Sequence, residues 1–156
     1  MSIETLLATA ARSLGPSRSG RAIVFGSTPL VLAGLPRQPR DLDLFVAPDL
    51  YQELLDGDHT EQVDAEGHSF VLLAEGIEVW ASFPGVDWKK VAARARLDPR
   101  TNGLKVADLS DVRASKLALG RPQDLADIQL IDALLGPFPE EDEPTESVPR
   151  ELPQAD

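Results

Sequence analysis

The chain has 156 residues, 42% of them apolar, enough for one domain with a packed core, and it carries a formal charge of −11. That charge argues against tight non-specific binding to nucleic acid, which depends on Lys and Arg neutralising phosphates. Cysteine is absent, which excludes a disulfide framework, a thiolate metal site and a cysteine nucleophile, and makes the cytoplasm the expected compartment.

Ile3, Leu6, Leu7, Ala10 and Leu14 recur at helical spacing, which predicts an amphipathic opening helix with Ser2 as N-cap and Gly15 as stop. No basic n-region precedes it and no apolar run approaches the roughly 18 residues of a bilayer span, so neither secretion nor membrane insertion is expected. Gly15 to Gly20 breaks the pattern before Ala22 to Phe25, an apolar run suited to a central, doubly covered strand. Thr28-Pro29 then reads as a cap followed by proline at the start of a short helix ending near Gly34. Asp41 to Val46 is the next predicted strand, and Pro48 heads a helix carrying Leu50, Tyr51, Leu54 and Leu55. Ser69 to Leu73 and Ile77 to Ser82 are strand-like runs joined by Ala74-Glu75-Gly76, a predicted hairpin. Asp87 is placed to cap a helix from Trp88 to about Ala95, and Leu104 to Val106 is extended. Ser110 is placed as the cap of a helix that Gly120 stops, and Pro122 starts the last helix, through Ile128, Ile131 and Leu135.

This divides the chain into a domain over residues 1 to 136 and a Pro-rich acidic tail over 137 to 156, which is expected to be disordered. The tail holds −6 of the net charge, leaving −5 for the rest. Arg94, Arg96, Arg100 and Lys105 lie within one stretch, where a solvated helix face and loop is favoured over an RNA-binding patch.

The most informative constellation is Gly26-Ser27 followed thirteen residues later by Arg40-Asp41-Leu42-Asp43. A strand points alternate side chains the same way, so Asp41 and Asp43 project together while Leu42, Leu44 and Val46 face the core. Two carboxylates held that close are relieved by a shared proton or by a hard cation such as Mg2+, which binds through carboxylates and substrate phosphates. The bland alternative is an edge strand with its polar face in water. Gly26 and Ser27 sit where a strand passes into a helix, a junction whose backbone N–H groups can bind phosphate, although such a turn also needs glycine for steric reasons. Glu78 can complete a metal cage or take a proton from an attacking hydroxyl if its strand lies beside Asp43. His59 and His68 lack a further nitrogen or sulfur partner for zinc, and Trp80 and Trp88 are read as packing.

Strand, Gly26-Ser27, short helix, Arg40-Asp41-Leu42-Asp43 and a later acidic strand position at Glu78 resemble the DNA polymerase β-type nucleotidyltransferase superfamily. Phe83-Pro84-Gly85-Val86 and the run from Lys116 through Gly120-Arg121-Pro122 to Asp127 are similar to its stand-alone bacterial branch that includes AbiEii-like toxins. The resemblance covers roughly residues 20 to 135 and implies an α/β (α+β) nucleotidyltransferase fold, a small mixed sheet flanked by helices with a C-terminal helical pair. It implies that Gly26 and Ser27 hold the triphosphate, that Asp41 and Asp43 bind one or two Mg2+ ions, and that Glu78 is third ligand or base. Lys116 and Arg121 would neutralise phosphate, with Arg40, Asp124 and Asp127 as secondary candidates. The third acid is Glu where Asp is commoner in the superfamily. The interval before Asp41 is longer than in the antitoxin-type members that accompany HEPN proteins, which favours the AbiEii-like side.

The implied activity moves a nucleoside monophosphate from a triphosphate such as ATP to a hydroxyl acceptor, a tRNA 3′ end or a protein, as the toxin of a toxin-antitoxin or phage-defence system with a cognate antitoxin or partner protein. Two alternatives stay open: a catalytically weak binding or antitoxin subunit, and a small-molecule enzyme of the aminoglycoside-modifying kind.

Overall fold

A computed structural model describes residues 2–38 and 40–136, so the expected acidic tail lies outside the described residues. The chain runs α1 (Ile3–Leu14), α2 (Pro16–Ser19), β1 (Ala22–Phe25), α3 (Thr28–Leu32), β2 (Leu42–Val46), α4 (Pro48–Asp56) and β3 (Glu61–Val63). It continues through β4 (Ser69–Ala74), β5 (Ile77–Trp80), α5 (Trp88–Arg94), β6 (Arg96–Leu97), a 3-10 turn (Pro99–Thr101), β7 (Lys105–Val106), α6 (Leu109–Leu119) and α7 (Pro122–Leu135).

The strands form one mixed sheet in the order β3-β4-β5-β2-β1-β7-β6, with β2 at its centre. β2 runs antiparallel to β1 and parallel to β5. Both faces of the sheet are covered at its central strands β1 and β2, as the unbroken apolar run of β1 requires. On one face Val24, Leu44 and Val79 pack under α1 and α4, through Leu6, Leu7, Leu50 and Leu54. On the other, Ile23, Phe25 and Phe45 meet Leu30, Val91, Val112 and Ile131 from the helices α3, α5, α6 and α7. Aromatic rings bind that second layer together: Phe45 lies edge-on to Phe25 at 5.4 Å and to Trp88 at 5.3 Å, a geometry that the ring quadrupoles favour. Asp43 and Glu78 project toward this same aromatic face.

The segment before α5 approaches α6 closely. A Cβ on Gly85, whose φ is +78°, would fall 2.9 Å from the Ala114 carbonyl oxygen and from the Ala118 methyl, so glycine is required there. Helices α6 and α7 form the expected C-terminal pair, turned by left-handed Gly120 and tied by Arg113, whose guanidinium donates to both oxygens of Asp132.

The mixed α/β architecture, the hairpin and the opening helix with its Ser2 cap agree with the sequence expectation. Several local expectations do not hold. Gly15 to Gly20 contains the single-turn helix α2. Ser27, not Thr28, precedes α3 as its cap residue, without a side-chain capping bond. Asp108, not Ser110, caps α6: its Oδ1 accepts from the Ser110 N–H at 2.9 Å and from the Ser110 hydroxyl at 2.6 Å, satisfying two donors at once. Strand β2 begins at Leu42, leaving Asp41 just outside it. β3 and β6 are further strands, short and exposed along their length.

Candidate functional site

Parallel pairing of β2 with β5 sets Asp43 directly against Glu78, and antiparallel pairing with β1 sets Asp43 against Phe25, the residue before Gly26. Neighbouring strands lie about 4.8 Å apart, so register alone brings two carboxylates of one face together beside the Gly26-Ser27 turn. A central strand excludes the edge-strand alternative for this pair. The Leu42 N–H, donating to the Gly76 carbonyl at 2.8 Å, anchors the start of β2, and Asp41 stands exposed just before it.

Gly26 is shaped by its neighbour. Its φ is +68°, and a Cβ there would lie 2.5 Å from Asp43 Oδ2. The Gly26→Ala variant is expected to push the Asp43 carboxylate out of place and to cost about 1–2 kcal/mol of stability through backbone strain. Thermal unfolding together with cation binding would check this, and unchanged cation affinity would show that Asp43 is not positioned by the turn.

The other oxygen of that carboxylate, Oδ1, accepts from the Trp80 indole N–H at 3.1 Å. Burial foremost and Glu78 next push the Asp43 carboxyl up to about 7, against the Trp80 bond, with Asp41 adding to the rise. Glu78 is also raised, by burial and then by Asp41, while its contact with Asp43 acts the other way. Both carboxyls are thus disfavoured as neighbouring anions, a cost that a cation between them would relieve.

On the far side of Gly26 lies a cluster of buried charge. Asp127 of α7 accepts from Arg37 Nε at 2.7 Å through Oδ1, and pairs with Lys116 Nζ at 2.8 Å through Oδ2. Ser27 Oγ donates to Asp127 at 3.2 Å and accepts from Arg37 Nη2 at 3.0 Å and Lys116 Nζ at 3.4 Å. Burial pushes the Asp127 carboxyl up, but hydrogen bonds from Lys116 and Arg37 outweigh it and hold the group below the usual carboxylate range. Asp124, one turn earlier and fully buried, accepts the Arg121 backbone N–H at 3.2 Å and its Nε at 2.6 Å, and lies 3.5 Å from Lys116. Asp124 thus caps α7 and holds two cations.

Two clefts meet at the Asp43 carboxylate. The smaller, about 130 Å3, is lined by Gly26, Ser27, Arg37, Lys116, Arg121 and Asp124 among others. The larger, about 300 Å3, includes Glu78, Trp80, Asp64, Glu66 and His68, and Arg121 borders both. The structure therefore gathers Asp43, Glu78, Gly26, Ser27, Lys116, Arg121, Asp124 and Asp127, with Asp41 close enough to act on the carboxyl pair. Arg40 is exposed and has no part in these contacts. Arg94 and Arg100 of the basic stretch are each held by an acid, Asp111 and Asp98.

Sequence reasoning missed Arg37, which belongs to a turn with no periodicity, and the indole bond of Trp80, whose place two residues after Glu78 on one strand face was a usable signal. It also missed the β3–β4 turn. Among the described residues, the set of three acidic or histidine side chains whose ligand atoms all lie within 4.8 Å of one another is Asp64, Glu66 and His68, and Asp41, Asp43 and Glu78 do not close that far. The donor set Asp41, Asp43 and Glu78 is nevertheless all oxygen, as Mg2+ prefers, and the raised Asp43 and Glu78 carboxyls mark where positive charge is wanted. Neither a scan of protein-family models nor a comparison with curated proteins finds a match for this chain. Among the described residues no helix is long and apolar enough to cross a membrane.

Proposed function

We propose that this protein is a Mg2+-dependent nucleotidyltransferase that moves a nucleoside monophosphate from a nucleoside triphosphate to a hydroxyl acceptor. The observation that carries the proposal is the register placing Asp43 against Glu78 at the Gly26-Ser27 turn, beside a cleft lined by Arg37, Lys116 and Arg121. The triphosphate enters that cleft, where Lys116 and Arg121 neutralise its charge, the Ser27 hydroxyl turns from Asp127 to donate to an oxygen, and Gly26 leaves room for close approach. Asp127 and Asp124 hold the two cations and Arg37 in place, so they position the phosphates without touching them. Mg2+, held by Asp41, Asp43 and Glu78, would supply charge neutralisation at the reacting phosphorus. Glu78, across the strand from Asp43, is placed to receive the proton of the acceptor hydroxyl. Positioning and electrostatics then provide most of the rate.

The acceptor classes implied by the sequence resemblance are a tRNA 3′ end or a protein hydroxyl, in a cytoplasmic toxin acting beside a cognate antitoxin. Incubation with α-labelled triphosphates, Mg2+ and RNA, protein or small-molecule acceptors tests the activity, with the Asp41→Ala/Asp43→Ala variant as control. Label transfer by the wild type and none by the variant is the expected result. Equal labelling by both would remove the carboxylates from the chemistry.

A second proposal, a binding or antitoxin subunit that retains the fold without turnover, is favoured by the spacing of Asp41, Asp43 and Glu78 and by the acids that already pair Lys116 and Arg121. The absence of both Mg2+-triphosphate binding and label transfer would support it.

A further inference from the structure

The smaller cleft holds a polar side chain that the phosphate chemistry above leaves unused. Ser115 lies inside α6, about one turn after Val112 and one turn before Leu119, and all three line this cleft, so it stands on the helix face turned toward it. It is only 2% exposed, yet its hydroxyl has no hydrogen-bond partner among the described residues. A serine within a helix can donate to the carbonyl four residues back, which here is that of Asp111. That bond is not made. Alanine at this position would favour the helix more and bury no orphaned polar atom. The hydroxyl therefore destabilises the ligand-free fold, and a partner supplied from the cleft would offset that penalty.

The surroundings of Ser115 select the chemistry of that partner. Lys116 follows it in the chain, and Arg37 and Arg121 border the same space. Three cations attract an anion, and a hydroxyl beside them donates to one of its oxygens. Phe25, Phe83 and Val112, which also line the cleft, offer the hydroxyl no side-chain partner of their own. Thr28 has a buried hydroxyl without a partner too, but it borders neither cleft, so access to the phosphate-sized space singles out Ser115. Asp43 borders both clefts, whereas Ser115 borders the smaller alone. With the α-phosphorus at Asp43 and Glu78, Ser115 is left to the phosphates beyond it.

We propose that Ser115 is a ligand of the β- and γ-phosphates, the pair that leaves as pyrophosphate, and that its hydroxyl donates to one of their oxygens beside Lys116. The inference rests on the nucleotidyltransferase proposal and adds a neutral donor to the cations named there.

The test compares the full-length wild type with Ser115→Ala and Ser115→Cys by calorimetric titration with Mg2+-pyrophosphate and with a non-hydrolysable Mg2+-triphosphate. Denaturant midpoints of the ligand-free proteins are measured alongside. Ser115→Ala is expected to bind both ligands about tenfold more weakly, the usual scale for a lost hydrogen bond to a charged group. Its ligand-free midpoint should equal or exceed that of the wild type, because the orphaned hydroxyl is gone. Ser115→Cys keeps the volume but donates far more weakly, so its affinities should follow those of Ser115→Ala and separate lost donation from lost packing. The inference is overturned if either variant binds both ligands as the wild type does, or if pyrophosphate fails to bind a wild type that takes the triphosphate. It also falls if affinity for the triphosphate drops while that for pyrophosphate is unchanged. A lower midpoint for ligand-free Ser115→Ala would assign the hydroxyl to the fold and overturn it likewise. Failure of the wild type to bind either ligand would overturn the nucleotidyltransferase proposal itself, and this inference with it.

Discussion

The Asp43→Asn variant is expected to lose the proposed nucleotidyl transfer by about 10^3-fold and, at the same time, to be more stable than the wild type at pH 8. Opposite effects on activity and stability follow from one cause. Burial and the facing Glu78 push the Asp43 carboxyl up to about 7, while an unfolded Asp ionises near 3.9. Between these values the native state retains a proton that the unfolded chain has released, so the contribution of this group to stability is present at low pH and lost as pH rises through 7. Asparagine removes the unfavourable ionisation and keeps an acceptor for the Trp80 indole. The shift corresponds to at most about 4 kcal/mol, and sharing of charge with Glu78 reduces it to on the order of 2 kcal/mol. Chemical denaturation of both proteins at pH 5 and pH 8 reads the contribution of Asp43 together with the accompanying change at Glu78, because the titrating groups remote from Asp43 behave alike in the two. A stability advantage for Asp43→Asn that is no larger at pH 8 than at pH 5 would refute the raised ionisation of Asp43. Added Mg2+ should narrow the gap at pH 8 by stabilising the wild type alone.

The same carboxyl pair explains which parts of the molecule could be read from its sequence. β1 and β2 were legible because each is a nearly unbroken apolar run, and a sheet covered on both faces selects for such runs. Glu78 was legible as a conditional statement, since its face follows from Ile77 and Val79, but its partner strand depends on sheet order, which no local period encodes. β3 could not be seen: Glu61, Gln62 and Val63 are all exposed at a sheet edge, where nothing imposes alternation. Choosing Ser110 over Asp108 as a cap was an error between two competent residues, decided by which one precedes the first helical turn. Lys116 shares a helix face with Val112, a hint that it was not an ordinary surface lysine, and it is buried between Asp124 and Asp127. Arg37 reaches Asp127 across ninety positions of sequence, a contact made by the tertiary fold alone.

Asp127→Ala is expected to destabilise the protein by about 3 kcal/mol or more, because it leaves buried Lys116 with only the longer contacts to Asp124 at 3.5 Å and Ser27 at 3.4 Å and strips Arg37 of its carboxylate. A combined Lys116→Met/Asp127→Leu variant removes both buried charges, replaces them with apolar side chains of comparable volume, and should recover most of that loss. The two variants agree on function and differ on stability. If Lys116 serves the triphosphate, the double variant folds well and still binds Mg2+-triphosphate at least about tenfold more weakly than the wild type. If the Lys116–Asp127 pair is a structural device alone, the double variant regains stability and nucleotide affinity together. Denaturant midpoints and calorimetric titration of the wild type, Asp127→Ala and the double variant give both quantities. Burying a lysine against two aspartates is costly compared with an apolar core, and a fold gains little from that cost unless the ammonium has something to meet at the mouth of the cleft.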